Sequence, residues 1–180
     1  FDNDGWADLF VAQGHVMDTI GWNEPSLRYR EPLLLARNLF GRFFEEKPPL
    51  ERPLAGRGLA LFDYNGDGRL DAVVTALDEP AILLRNVTET VGNRIALALE
   101  GTKSNRDGYG AVIRADGLRI YAHPSGSYLS SSTPLVHLGL GDAATPAIEI
   151  LWPSGTRQIL SELEPGKVHR IREPETPQLR

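Results

Sequence analysis

The chain has 180 residues, with 19 Lys and Arg against 24 Asp and Glu, a formal net charge of −5. Its 41% hydrophobic and 24% charged residues are those of a folded globular protein rather than a disordered one. The acidic balance argues against a nucleic-acid surface, which is normally basic. No run reaches the roughly 18 apolar residues of a membrane-spanning helix, and the lack of cysteine excludes disulfides and thiolate metal sites.

The first element is a loop, Phe1-Asp2-Asn3-Asp4-Gly5-Trp6-Ala7-Asp8, followed by a β-type run at Leu9 to Ala12. Gly14 to Pro32 is polar and reads as a surface loop, with a short helix expected within Ser26 to Leu35. Leu35 to Asn38 is a strand. The opening pattern then returns as Tyr64-Asn65-Gly66-Asp67-Gly68-Arg69-Leu70-Asp71, so that Asp8 and Asp71 correspond at a period of 63 residues. A run at Ala72 to Leu77 and a strand at Leu83 to Asn86 complete the second copy. The copies differ in their middles, with 30 residues from Asp8 to Asn38 against 15 from Asp71 to Asn86. A strand-rich repeat of this period points to a propeller or solenoid, and a propeller needs roughly 4–8 four-stranded blades. Residues 1–90 are therefore expected to be the last blades of a β-propeller whose earlier blades, and any signal peptide, precede Phe1.

Val87 to Asn93 reads as a linker to a second domain, 91–173, with a tail at 174–180. Strands are expected at Arg94 to Leu99, Ala111 to Ala115, Leu118 to Ala122, Leu135 to Leu140, Ala147 to Trp152, Arg157 to Leu160 and Val168 to Arg172. Asp116-Gly117 is a two-residue hairpin turn requiring positive φ at both positions, and Ser154-Gly155 and Pro165-Gly166 are further turns. The fold class expected is all-β, with propeller blades followed by a small C-terminal β-sandwich or barrel.

The second loop carries the chemistry. Counting from Asp63, oxygen side chains recur at positions 1, 3, 5 and 9 (Asp63, Asn65, Asp67, Asp71), with Gly68 at the sharp turn of position 6. Calcium wants about 6–8 hard oxygens at roughly 2.3–2.6 Å. Alternate side chains of a tight loop converge, and the Arg69 carbonyl takes the seventh position by analogy with an EF-hand. An EF-hand it is not, because position 12 is Val74 rather than a bidentate Glu. In the first copy Asp2, Asp4 and Asp8 match Asn65, Asp67 and Asp71, with Trp6 at the carbonyl position; its first ligand would precede Phe1, so that site is expected to bind weakly or not at all. The competing reading is a pair of solvated Asx-rich turns. Two bound calcium ions would bring the formal charge from −5 to −1.

These motifs, Phe-Asp-Asn-Asp-Gly-x-x-Asp-Leu-Phe-Val and Asp-x-Asn-x-Asp-Gly-x-x-Asp, resemble the FG-GAP/VCBS repeats of calcium-binding propellers, the blade type of integrin α subunits. The second half resembles the ASPIC/UnbV domain, which follows such repeats in bacterial surface proteins and in the cartilage acidic protein family. That resemblance rests on Gly101 to Ala111, on Ser125 to Ser130, on Val136-His137-Leu138-Gly139-Leu140-Gly141 and on Trp152-Pro153-Ser154-Gly155. It implies a secreted or cell-surface location, bound calcium, and adhesion or recognition of a protein or glycan ligand, with no reaction attached. The expectation is thus a non-catalytic recognition module; the alternatives are an accessory region of a secreted polysaccharide-acting enzyme or a structural part of a surface assembly.

Other candidates weigh less. Arg106 in the polar Ser104 to Asp107 stretch and Tyr128 among the serines 125–132 are ligand-binding candidates, against the plainer reading of connecting loops. His137 is expected to be a packed histidine rather than a zinc ligand, and Trp152 a core or interface anchor. Asn86-Val87-Thr88 matches the N-glycosylation sequon.

Overall fold

The computed structural model describes residues 1–89 and 91–175; most of the tail expected at 174–180 lies outside them. The chain forms two compact units that exchange segments: Phe1, residues 6–88 and 125–132 make the first, and residues 2–5, 89–124 and 133–180 the second.

The first unit opens with β1 (Leu9–Val11), the four-residue helix α1 (Ile20–Asn23), β2 (Leu34–Leu39) and β3 (Arg42–Glu45), followed by β4 (Gly56–Phe62), β5 (Asp71–Ala76) and β6 (Ile82–Leu84). They pair antiparallel as two sheets, β1-β2-β3 and β4-β5-β6. The ladders repeat: Leu9 faces Ala36 one residue after Asp8, and Ala72 faces Leu84 one residue after Asp71. β1 therefore corresponds to β5 and β2 to β6. Laid over one another, the copies define four strand positions, one before the aspartate loop and three after it, which is the plan of a propeller blade.

The 15 residues by which the first copy is longer leave this register unchanged. They form α1 and exposed turns, with Trp22 86% exposed. The helix expected within Ser26 to Leu35 is absent, and the one α-helical turn among the described residues lies earlier. Pro32 disfavours a helix across that stretch, and its backbone instead makes bridges from Arg30 to Gly14 and from Glu31 to Leu54. Leu33, Leu54 and Val74 form the buried centre, flanked by Phe10, Leu59, Ile82 and Leu84.

The second unit begins with β7 (Asn93–Glu100), β8 (Val112–Ala115) and β9 (Leu118–Tyr121). The chain next forms a small hairpin, β10 (Ser125–Ser127) and β11 (Ser130–Ser131), which belongs to the first unit. There the Ser130 and Ser132 hydroxyls accept hydrogen bonds from the Leu59 and Leu61 amides of β4, at 2.9 and 3.1 Å. Side-chain oxygens thus take donors that a neighbouring strand's carbonyls would otherwise take. A Cβ on Gly58 would lie 2.8 Å from the Leu129 carbonyl oxygen, so glycine permits this close approach.

β12 (Val136–Gly141), β13 (Ile148–Leu151), β14 (Arg157–Leu160) and β15 (Val168–Arg172) complete the second unit. Two sheets, β12-β7-β15 and β14-β13-β8-β9, share one core of Ile95, Leu97, Ile113, Val136, Leu138, Ile148, Ile150, Trp152 and Ile171. Burial alternates with a period of two along β8, β13 and the start of β12, as it must where one face of a sheet is apolar, whereas the central β7 buries Ile95, Ala96 and Leu97 in succession. Of the two architectures expected, this is the sandwich. Trp152 is a core residue, its indole N–H donating to Gln158 Oε1 at 3.0 Å. Asp116 and Gly117 both have positive φ (42° and 82°), as the β8–β9 hairpin requires.

Candidate metal centre

The second aspartate loop joins β4 to β5 and winds around Asp63. Asp63 Oδ1 accepts the Gly66 and Asp67 amides at 2.8 and 3.1 Å, and Oδ2 accepts the Gly68 amide at 2.8 Å. Asn65 Oδ1 accepts the Asp67 amide at 3.2 Å and Asp67 Oδ1 the Arg69 amide at 3.0 Å. Successive Asx turns therefore coil the chain with its oxygens on one side. Gly66 and Gly68 sit at φ 74° and 91°, where a Cβ would be strained.

Asp67 carries the local charge balance. Arg69 donates to its Oδ2 from Nε at 3.2 Å and Nη2 at 2.5 Å, and Asn65 Nδ2 adds a bond at 2.9 Å. The Arg69 side chain, then its amide, then Asn65 hold the Asp67 carboxyl well below the usual carboxylate range, and Asp67 in turn raises Arg69. The guanidinium is fixed from its far end by the Thr88 carbonyl at 3.1 Å.

Asp71 plays another part. It is 1% exposed, and its two oxygens accept the Asn86 amide at 2.7 Å and the Tyr64 amide at 3.1 Å. Asn86 answers by donating Nδ2 to the Leu70 carbonyl at 3.2 Å. The first copy repeats this clamp atom for atom. Asp8 Oδ1 accepts the Asn38 amide at 2.8 Å, Asn38 Nδ2 donates to the Ala7 carbonyl at 3.0 Å, and Asp8 Oδ2 accepts from the Phe1 backbone nitrogen at 2.6 Å. Asn38 and Asn86 were visible in the sequence only as the ends of corresponding strands; their recurrence at the same register is the signal that marks them as partners of the aspartates.

The oxygen donors that the winding brings together at Asp63, Asn65 and Asp67 are of the hard type that calcium takes. Among the described residues, however, no three His, Cys, Asp or Glu side chains gather as a metal-holding group. Arg69 supplies the positive charge at Asp67, and the Asp71 oxygens are engaged by amides. In the first loop, Asp2 is buried and its Oδ1 accepts the Asp4 amide at 3.2 Å. Asp2 and Asp4 lie with the second unit, Trp6 and Asp8 with the first. Trp6 packs edge-on against Phe40, with ring centroids 5.7 Å apart.

The remaining candidates separate clearly. The Arg106 side chain is 88% exposed and pairs with Asp107 at 3.2 Å; Tyr128 is 72% exposed, and the two lie in different units. His137 Nε2 is 2.7 Å from Asn3 Oδ1. Asn105 bonds the Tyr109 backbone from both ends of its amide, at 2.7 and 2.8 Å. Sequence reading missed the acid beneath this loop. Glu173, 1% exposed, accepts the amides of Thr102, Lys103 and Ser104 at 2.8–2.9 Å on Oε2. Its Oε1 accepts the Ser104 and Ser154 hydroxyls. Burial pushes its carboxyl up, but the bonds from Ser154, Ser104, Thr102 and Lys103 outweigh this and bring it down to about 2.

Two families match separate stretches of the chain. The FG-GAP-like repeat family matches residues 1–74, and the ASPIC and UnbV family residues 101–178. Cartilage acidic protein 1 of Xenopus tropicalis is 27% identical over 171 residues, covering 86% of this chain and 24% of that protein. Its Homo sapiens counterpart is 24% identical over 189 residues, covering 96% of this chain and 26% of its own length. The chain thus spans about a quarter of the length of these relatives.

Proposed function

From a chain that carries FG-GAP-like repeats followed by an ASPIC/UnbV domain, we propose a calcium-stabilised, non-catalytic module of extracellular recognition. The observation that carries the reading is the winding of the Asp63 to Asp71 loop, whose Asx turns set Asp63, Asn65 and Asp67 along one coil. The location outside the cell rests on likeness to cartilage acidic protein 1, and adhesion or recognition of a protein or glycan is the role that fits such a module.

Calcium, when bound, supplies charge neutralisation within the β4–β5 connection, the part that the Arg69 guanidinium plays at Asp67. Asp63, Asn65 and Asp67 would hold it, with the Arg69 carbonyl; Asp71 keeps the coil attached to the sheet through the Asn86 and Tyr64 amides. Calcium and the Arg69 side chain compete for one carboxylate.

Calorimetry of the chain in about 10 mM calcium and in EDTA tests this. Extracellular calcium modules bind at roughly 10⁻⁴–10⁻³ M, so linkage contributes about 1.4–2.7 kcal/mol and raises the midpoint by about 3–10 °C. Asp67→Ala should remove that gain. The same transition in calcium and in EDTA would refute the calcium reading.

A further inference from the structure

The outward face of the sheet β14-β13-β8-β9 has a composition that neither the core nor the aspartate loops explain. The ladders place Tyr121 opposite Val112 and Arg119 opposite Arg114. Val112 and Arg114 in turn oppose Leu151 and Glu149, and Leu151 and Glu149 oppose Arg157 and Ile159. Two rows result, one of Arg119, Arg114, Glu149 and Ile159, the other of Tyr121, Val112, Leu151 and Arg157. Three guanidiniums and one carboxylate give the face a formal charge of +2 on a chain whose net charge is −5.

The single carboxylate is shared. Glu149 pairs with Arg114 at 3.2 Å and with Arg157 at 3.5 Å. Arg119 has no carboxylate partner among the described residues; its guanidinium lies 5.1 Å from the centroid of the Tyr121 ring. Like charges directly opposite one another in an antiparallel ladder are destabilising, so Arg114 across from Arg119 is an arrangement that an anion between them would relieve. Tyr121 is half exposed, 49%.

We infer that this face binds an anionic saccharide, with Arg119 and Arg114 taking its sulfate or carboxylate groups and Tyr121 carrying the face of a sugar ring. The inference rests on the reading of the chain as a recognition module and names the ligand class of that module. Guanidiniums recognise sulfate and carboxylate oxygens through paired N–H donors. Adjacent strands lie about 4.7–4.9 Å apart, so the two arginines address anionic groups on one or two neighbouring sugars. An exposed aromatic ring beside a guanidinium suits a pyranose, apolar on one face and hydroxylated at its rim. An acidic peptide needs the guanidiniums but not the ring.

The experiment is titration calorimetry of the full chain with a heparin-derived octasaccharide, beside an octaglutamate peptide. Saturable octasaccharide binding is expected, several-fold weaker at 200 mM than at 50 mM salt. Arg119→Gln and Tyr121→Ala should each weaken it at least tenfold, whereas Tyr121→Phe, which keeps the ring, and Arg28→Ala, an exposed arginine of the other unit, should leave it within twofold. Circular dichroism melts establish that each variant is folded. No binding by the parent chain overturns the proposal, as does octaglutamate binding as tightly through the same residues. Octasaccharide binding untouched by Arg119→Gln and Tyr121→Ala overturns this face while leaving the recognition reading standing.

Discussion

A buried carboxylate that accepts three consecutive amides is stable only as an anion, and acid removes it. Glu173 has a folded-state value of about 2 against the ordinary 4.5. Because the folded value is the lower, its contribution is complete above about pH 4.5 and is lost as pH falls towards 2. Stability measured by urea unfolding should therefore drop through that window. Glu173→Gln, which turns an amide NH2 on donors already present, should cost about 2–3 kcal/mol at neutral pH and flatten the acid limb; an unaltered limb would contradict the assignment. Arg69 offers a second test at this scale. Removing the competing guanidinium in Arg69→Ala should tighten calcium binding several-fold in a titration, the reverse of Asp67→Ala. The aspartates of that loop were legible because Asp63 to Asp71 form one compact pattern of nine residues. Glu173 was not, since its donors lie about 70 residues upstream in the chain.

At the scale of elements, the Asp–Asn clamp fixes how each aspartate loop meets the two strands that follow it. Asp71→Ala would strand the Asn86 and Tyr64 amides, and a loss of about 2–4 kcal/mol is expected in denaturant unfolding. Asp8→Ala should lose a comparable amount, which the repeated geometry requires. The strands with branched or alternating apolar residues, such as β5, β8 and β13, were readable in the sequence. β4 was not, because Gly56 and Gly58 dilute its pattern. β10 and β11 were hidden for another reason, being serine-rich and joined to β4 through hydroxyl groups. The helix expected near Ser26 failed where long-range bridges to Gly14 and Leu54 overrode a local tendency.

At the scale of the molecule, the Asp63 to Asp71 loop and the Glu173 cage lie in different compact units, each carboxylate accepting amides of its own unit. Their effects should add: the Asp71→Ala, Glu173→Gln double variant is expected to lose the sum of the single losses to within about 0.5 kcal/mol. A larger discrepancy in equilibrium unfolding would reveal coupling between the units. The all-β class was legible from turns and periodicity. The exchange of residues 2–5 and 125–132 was not, because it depends on contacts that no local pattern encodes. Asn86 has one more consequence. Both hydrogens of its side-chain amide are spent on the Phe1 and Leu70 carbonyls, and the Thr88 hydroxyl is turned back onto its oxygen. A secretory host can attach a sugar to that nitrogen only before the repeat closes. The fraction of chains bearing a glycan at Asn86, read by mass spectrometry, would then be a clock: slow-folding variants should emerge more heavily tagged than the parent.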